Sequence, residues 1–339
     1  MRHSCSVACA VRMVTMLGVL AAGLTTVWSM PRSGASLEMA REVEAAQRDA
    51  TSPVVGTWRL VGVELLGPTG NTLPVPAAPA FGSANPVGLM VHGPGGHFGV
   101  SIMQSGRRPY AGPQPTPDEA KAAFDGFLAY FGTYRAHETT LTHIVEGGLS
   151  PNDAGTERAS AFERRGERLT LTGSWGHAAE RARLVWDRVP PVASPTSTHK
   201  QIAGFWRRAG RERKTLDGTL HDSDPVKQSG YLIFTASGYM AVHGMQPGRS
   251  RLAGPQATAA EAKRALDTYG SAYFGPYTVY ESERLEVTKQ IGLIPPGQVG
   301  NDARRHYEFR SADHLILKPP VEKVDGRQLQ SFVHWERVE

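Results

Sequence analysis

Cysteine is almost absent from this 339-residue chain: there are two, Cys5 and Cys9, both near the start. If those first residues are a removable leader, the remainder has no thiol. Cysteine nucleophiles, thiolate metal sites and disulfides are then excluded. Familiar catalytic signatures are missing as well. The chain has no phosphate loop, no dinucleotide glycine fingerprint, no His-Glu-x-x-His, no Gly-x-Ser-x-Gly and no paired Cys-x-x-Cys. Its 12 histidines do not fall at metal-ligand spacing, so neither a metal nor a cofactor is expected. Excess charge is lacking too. Lys and Arg total 37 against 32 Asp and Glu, but Arg2, Arg12 and Arg32 sit in the first 35 residues, which hold no acid. Without those three the balance is 34 basic against 32 acidic, which gives no reason to expect a nucleic-acid partner.

What the chain has begins with that leader. Arg2 and Arg12 precede an uncharged run from Met13 to Pro31 with an apolar centre at Met16 to Leu24, and small residues follow at Ser33 and Ala35. This pattern predicts a secretory signal over 1–35, cleaved before Ser36, and an exported protein, periplasmic or secreted. The run is close to the length needed to span a bilayer, so an uncleaved anchor is the alternative and would be the chain's one membrane contact. Residues 36–52 read as a charged, helix-prone stem.

The rest is organised as a duplication. Ala111-Gly-Pro-Gln-Pro-Thr-Pro-Asp-Glu-Ala-Lys121, running on to Tyr130-Phe131-Gly132, returns as Ala253-Gly-Pro-Gln-Ala-Thr-Ala-Ala-Glu-Ala-Lys263, running on to Tyr273-Phe274-Gly275. Thr116 and Glu119, like Thr258 and Glu261, have the spacing of a capping box at a helix start. Pro117 suits the first helical position. Apolar residues at Ala120, Ala123, Phe124, Phe127, Leu128 and Phe131 follow the helical period and predict a helix ending at the aromatic-Gly pair. The repeat predicts two domains, 53–189 and 200–339, joined by a proline- and serine-rich linker over 190–199. Gly67 to Gly88 is a loop with five prolines, long enough to be a lid or binding loop. Around it are strand-length runs: Val55 to Glu64, Leu89 to His92, His97 to Gln104, Thr133 to Glu138, Thr140 to Glu146, Arg158 to Arg164, Arg168 to Thr172 and Ala182 to Arg188. So many short strands with one helix predict a closed antiparallel barrel, since closure removes exposed edges.

Gly56-Thr57-Trp58 opens the first unit and Arg188 closes it; Gly204-Phe205-Trp206 and Arg337 do the same in the second. Between them run Tyr130-Phe-Gly-Thr-Tyr134, Thr142-His143-x-x-Glu146-Gly147 and Pro151-Asn152-x-x-Gly155-Thr156. On these residues each half resembles the lipocalin-like domain family, over about 53–190 closely and over 200–339 more loosely. The resemblance implies a mainly β protein of two tandem lipocalin-like antiparallel β-barrels, each with one short capped α-helix. It also implies that an arginine lies over the first-strand tryptophan and closes one barrel end, held by cation–π attraction. The family's implied task is to hold a small apolar molecule; barrels of similar architecture also act as hydratases, cyclases or isomerases. An α+β cone with a helix in a curved sheet is the rival fold, but such chains lead with helices.

Candidate site residues follow from what the halves do not share. His143 and Glu146 have no counterparts in the second half, where Thr288 and Ile291 stand. That points to the first domain as the functional half, with His143 as acid/base and Tyr130 or Tyr134 as a hydrogen-bond donor. Residues three apart on a strand face opposite ways, so His143 and Glu146 converge only across a bulge. His97, Ser101 and Met103 share one strand face, matched by Tyr239, His243 and Met245, and suit a pocket wall or a packed interior alike. Arg107 and Tyr110 precede the first capped helix, where the arginine could hold an anionic group on a ligand. The basic run Arg207, Arg208, Arg211, Arg213, Lys214 stands where the first domain has Leu60 and Val63. Three functions fit these features. The chain binds a small hydrophobic or amphipathic molecule, or is a cofactor-independent isomerase, cyclase or hydratase, or is an envelope scaffold with filled barrels.

Overall fold

The structure, a computed structural model, describes residues 52–73, 85–175, 180–225 and 229–339. The leader, all of the stem but Ser52, and the middle of the proline-rich loop lie outside the described residues.

The first half contains strands β1 (Gly56–Leu66), β2 (Thr72–Leu73), β3 (Val87–His92), β4 (His97–Met103), helix α1 (Pro117–Asp125), then β5 (Phe127–His137), β6 (Thr140–Gly148), β7 (Glu157–Arg165), β8 (Arg168–Trp175) and β9 (Glu180–Arg188). After helix α2 (Ser197–Ile202) come β10 (Gly204–Thr215), β11 (Leu220–Asp224), β12 (Tyr231–Phe234), β13 (Tyr239–Gly244), helix α3 (Ala259–Asp267), β14 (Ser271–Tyr280), β15 (Leu285–Lys289), β16 (Gly292–Leu293), β17 (Asp302–Ser311), β18 (His314–Lys318), β19 (Glu322–Val324) and β20 (Arg327–Arg337). Pairing runs β1-β3-β4-β5-β6-β7-β8-β9 and returns to β1, which closes an antiparallel barrel of eight strands. Strands β10, β12, β13, β14, β15, β17, β18 and β20 close a second one. Each first strand carries the same bulge against its last strand, between Leu60 and Gly62 and between Arg208 and Gly210. A bulge there bends the strand into the curvature that closure needs.

The capping boxes form as the spacing requires. Thr116 and Glu119 each satisfy a backbone amide of the other at the start of α1, and Thr258 and Glu261 do so at α3. The helix is shorter than its apolar period implies, however. It stops at Asp125, and Phe127, Leu128 and Phe131 belong to β5. That strand is buried on both faces: Leu128 and Tyr130 point into the barrel core, while Phe127, Ala129 and Phe131 pack outward against the second barrel. A strand covered on both sides loses its polar alternation and mimics a buried helix. Gly132 and Gly275 answer to a different need. A Cβ at Gly132 would lie 2.1 Å from the Ile144 carbonyl oxygen, and one at Gly275 would lie 1.7 Å from that of Lys289. The Tyr-Phe-Gly motif thus marks a close backbone approach inside the sheet, not a helix stop.

The two barrels meet along β3, β4 and β5 on one side and β12, β13 and β14 on the other. Phe131, Phe205, Tyr231, Ile233 and Phe274 fill the seam. Helices α1 and α3 pack together beside it, burying the small residues Ala120, Ala123, Ala262 and Ala265. The contacts are reciprocal. Arg107 donates to the carbonyls of Leu293 (2.8 Å) and Ile294 (2.6 Å), and Arg249 donates to the matching carbonyls of Gly148 and Leu149 (2.7 Å to the latter). Each loop arginine therefore clasps the opposite barrel, as in an isologous dimer made within one chain.

Candidate functional site

One end of each barrel is shut in the same way. The Trp58 indole N–H donates to Val54 O at 2.7 Å and Arg188 lies 5.9 Å from the ring centre; Trp206 donates to Ile202 O at 2.8 Å with Arg337 at 4.1 Å. The other ends differ. In barrel one β8 runs on to Trp175, which is 1% exposed, lies against Tyr130 with ring centres 6.5 Å apart and plugs that mouth. In barrel two β18 stops at Lys318, before Pro319 and Pro320. Proline cannot donate to a sheet ladder, so the strand ends short of any such plug.

The interiors differ in the same sense. Barrel one is packed with Trp58, Met90, Phe98, Ile102, Leu128, Tyr130, Leu171, Leu184 and Trp186. Strand register places Gly244 where barrel one has Ile102, Ser271 where it has Leu128, and Val333 where it has Leu184. These losses of side-chain volume coincide with a cavity of about 230 Å³ in barrel two. Leu232, Val242, Tyr273, Leu317, Val333 and Trp335 line its body, with Ser229, Gly230, Gly244, Ser271 and Pro319 at the mouth.

Three further replacements put charge into that interior. Arg208 stands at the place of Leu60, Glu286 at that of Leu141 and Arg305 at that of Ser160. Arg208 reaches Asp224 at 3.5 Å and Arg305 reaches Glu286 at 3.5 Å, and both arginines line the cavity. Glu286 is fully buried and bonded to the Thr288 hydroxyl. Burial pushes its carboxyl up to about 8, with the Thr288 bond pulling the other way. Burial also lowers Arg305, to about 10, which leaves it charged at neutral pH while Glu286 is mostly protonated. The charged groups at the cavity wall are therefore Arg208 and Arg305, each with a carboxyl group 3.5 Å away.

That charge has a telling counterpart. In barrel one Arg158 lies 4.8 Å from the centre of Tyr130, and Asp153 balances it at 2.7 Å. In barrel two the guanidinium over the equivalent Tyr273 comes from Arg305, 5.2 Å from its centre and two residues further along the strand. The position equivalent to Asp153 is Gln298, two residues before the matching positive-φ glycines Gly155 and Gly300. Barrel two keeps the cation and has no acid at that place.

Of the sequence-predicted residues, His243 and Arg208 border this cavity, and the others lie elsewhere. His143 points into barrel one and is 3% exposed. It pairs with His92 at 2.8 Å and with the Tyr130 hydroxyl at 3.2 Å, and stacks on Phe98 at 4.0 Å. Burial holds it well below the usual histidine range, helped by repulsion from His92 and Arg158. The Tyr134 hydroxyl donates to Gly93 O at 2.7 Å. None of these groups lines the barrel-two cavity. Glu146 does not converge on His143 despite a bulge in the β5–β6 pairing, because Glu146 is itself the extra residue. Its carboxylate accepts from Tyr231 at 3.0 Å and Arg207 at 3.3 Å across the seam. His97, Ser101 and Met103 face the seam rather than a barrel interior. His97 lies against Tyr231 and 3.3 Å from Glu339; Ser101 is buried and Met103 joins the seam cluster. Tyr239 packs there as well, and His243 bonds the Tyr269 hydroxyl at 3.2 Å. Arg107 donates to the two carbonyls described above and to Ala123 O at 3.3 Å, and Tyr110 lines a groove of about 640 Å³ between the loops of the two halves. The basic run is no continuous face: Arg207 turns to Glu146, Arg208 inward, Arg213 to Asp222 and Lys214 to Glu212.

The family model described as lipocalin-like domain matches the chain twice, over 55–189 and over 204–338. The chain belongs to the lipocalin-like domain family. Both matched segments coincide with a closed lipocalin-like barrel, from Gly56 to Arg188 and from Gly204 to Arg337. No curated protein matches the chain. Among solved structures it is similar to a protein of unknown function from the DUF3598 family of Nostoc punctiforme, with 9% identity and a TM-score of 0.21 over 84% of this chain and 96% of that one. It is also similar to an uncharacterised protein from Saccharomyces cerevisiae, with 13% identity and a TM-score of 0.35 over 84% of this chain and 97% of that one. The residues that sequence reasoning missed in the second lipocalin-like barrel are Glu286, Arg305 and Trp335. One signal for the change was legible: Arg208 standing where Leu60 had been.

Proposed function

We propose that the protein binds a small, largely apolar molecule inside barrel two, and that barrel one serves as the rigid, filled partner. The observation that carries this reading is the cavity of about 230 Å³, open at the end opposite the Trp206–Arg337 closure. This reading takes the second half as the functional one, where the sequence pointed to the first. The volume lies below the roughly 300–1,000 Å³ of drug-sized sites, so the ligand is small. A mixed wall of aliphatic, aromatic and a few polar groups suits such a guest. The basic and apolar leader read in residues 1–35 supports an exported protein. The near-neutral balance of the remainder supports a partner that is not nucleic acid, with any membrane contact made through the leader if it is uncleaved.

Calorimetric titration with hexan-1-ol tests this. Wild type is expected to bind one equivalent saturably. The double variant Ser271→Leu, Val333→Leu restores two barrel-one residues at the cavity and is expected to bind about tenfold more weakly or not at all, since filled volume leaves no room for the guest. Undiminished binding in the filled variant, or no saturable binding to wild type, contradicts the proposal.

A further inference from the structure

Building on the barrel-two reading, we infer that the guest is a small monocarboxylic acid whose carboxylate pairs with Arg305 while its apolar end packs against Leu317, Val333 and Trp335. Three observations lead there. The guanidinium that sits over the barrel tyrosine is present in both halves, but the Asp153 that neutralises it in barrel one is replaced by Gln298. Among the described residues the Arg305 side chain hydrogen-bonds only Glu286, through one long contact of 3.5 Å, although a guanidinium carries five donors in a fork that matches a carboxylate. And Arg305 lines the cavity, where Glu286 behind it does not.

Size sets the rest of the ligand. A volume of about 230 Å³ holds roughly eight water-sized groups at ~30 Å³ each. Hexanoate is of that scale, and a long-chain acid is not. Glu286 then sets the pH range. The titratable and charged groups facing it are Arg305 from β17 and Tyr277 from β14, with Thr288 bonded from its own strand. A protonated Glu286 leaves Arg305 to the guest. An ionised one competes for the same guanidinium.

The experiment is calorimetric titration of the full chain at pH 7 with hexanoate and, in parallel, with hexan-1-ol. Hexanoate is expected to bind roughly ten- to a hundredfold tighter, the worth of one charge-assisted hydrogen bond. Arg305→Gln is expected to bring the two affinities together by weakening hexanoate alone. Equal affinity of wild type for both molecules overturns the inference and leaves the barrel-two reading intact, whereas failure of both to bind overturns the two together. Should Arg305→Gln not fold, Glu286→Gln gives an independent test. Wild-type affinity for hexanoate is expected to fall between pH 7 and pH 9, and the variant to abolish that fall. A flat wild-type profile overturns the inference.

Discussion

Between pH 7 and pH 5 the protein is expected to lose about 3–4 kcal/mol of stability, read from urea unfolding at the two pH values. Three histidines are responsible. His92, His143 and His243 are all buried. Burial lowers His92 and His243 to about 3 each and His143 well below its ordinary value, with His92 and Arg158 adding repulsion to the last. In the folded chain these rings stay neutral, while in the unfolded chain they take up protons below an ordinary value near 6.5. The unfolded state then binds more protons, so their contribution is intact above that value and is lost as pH falls toward 3. Each loses about 2 kcal/mol by pH 5, a figure that hardly depends on how far below 5 the folded value lies. Glu286 works in the opposite sense. Its folded value near 8 lies above the unfolded one, so its contribution is full at low pH and is lost as pH rises through 8. Over the same interval it returns roughly 2 kcal/mol. Glu286→Gln is therefore expected to steepen the acid loss. Stability that is flat or rising toward pH 5 in the wild type would show that the three rings are charged in the fold.

Removing the Trp175 plug should have the second large effect. The indole is 1% exposed and seals the mouth of barrel one against Tyr130. Trp175→Ala is expected to cost about 3–5 kcal/mol, the lost transfer energy together with the cavity left behind. It should also convert barrel one into a container. In the Ser271→Leu, Val333→Leu background, whose second barrel is filled, Trp175→Ala is expected to regain binding of hexan-1-ol. A variant that is barely destabilised and binds nothing would mean that the plug is not what shuts this barrel.

The sequence made the architecture readable because barrel closure leaves local marks. Gly-x-Trp paired with a closing arginine, two capping boxes and glycine-rich turns each report on nearby backbone. The β5 strand was harder to see, since its second buried face is created by the other barrel. For the same reason His97, Ser101 and Met103 looked like a pocket wall: an apolar strand face does not say whether it meets an interior or a seam. His143 drew attention as a residue that one copy has and the other lacks, yet it is a neutral core group held by His92, Tyr130 and Phe98. The informative differences were the reverse ones. Gly244 for Ile102 and Ser271 for Leu128 look like ordinary repeat divergence until register shows that Gly244 and Ser271 are paired neighbours at the mouth of barrel two, as Ile102 and Leu128 are at the matching place in barrel one. Glu286 and Arg305 stand 19 positions apart in the chain, and only the β15–β17 pairing brings them together.

Whether barrel two is open while barrel one is shut can be seen directly by diffraction from xenon-pressurised crystals, because xenon settles against the apolar wall of an accessible cavity. The account predicts a xenon site in barrel two, against Leu232, Val242, Leu317 and Trp335, with none inside barrel one. Xenon beside His143 and Phe98, with barrel two vacant, would contradict it.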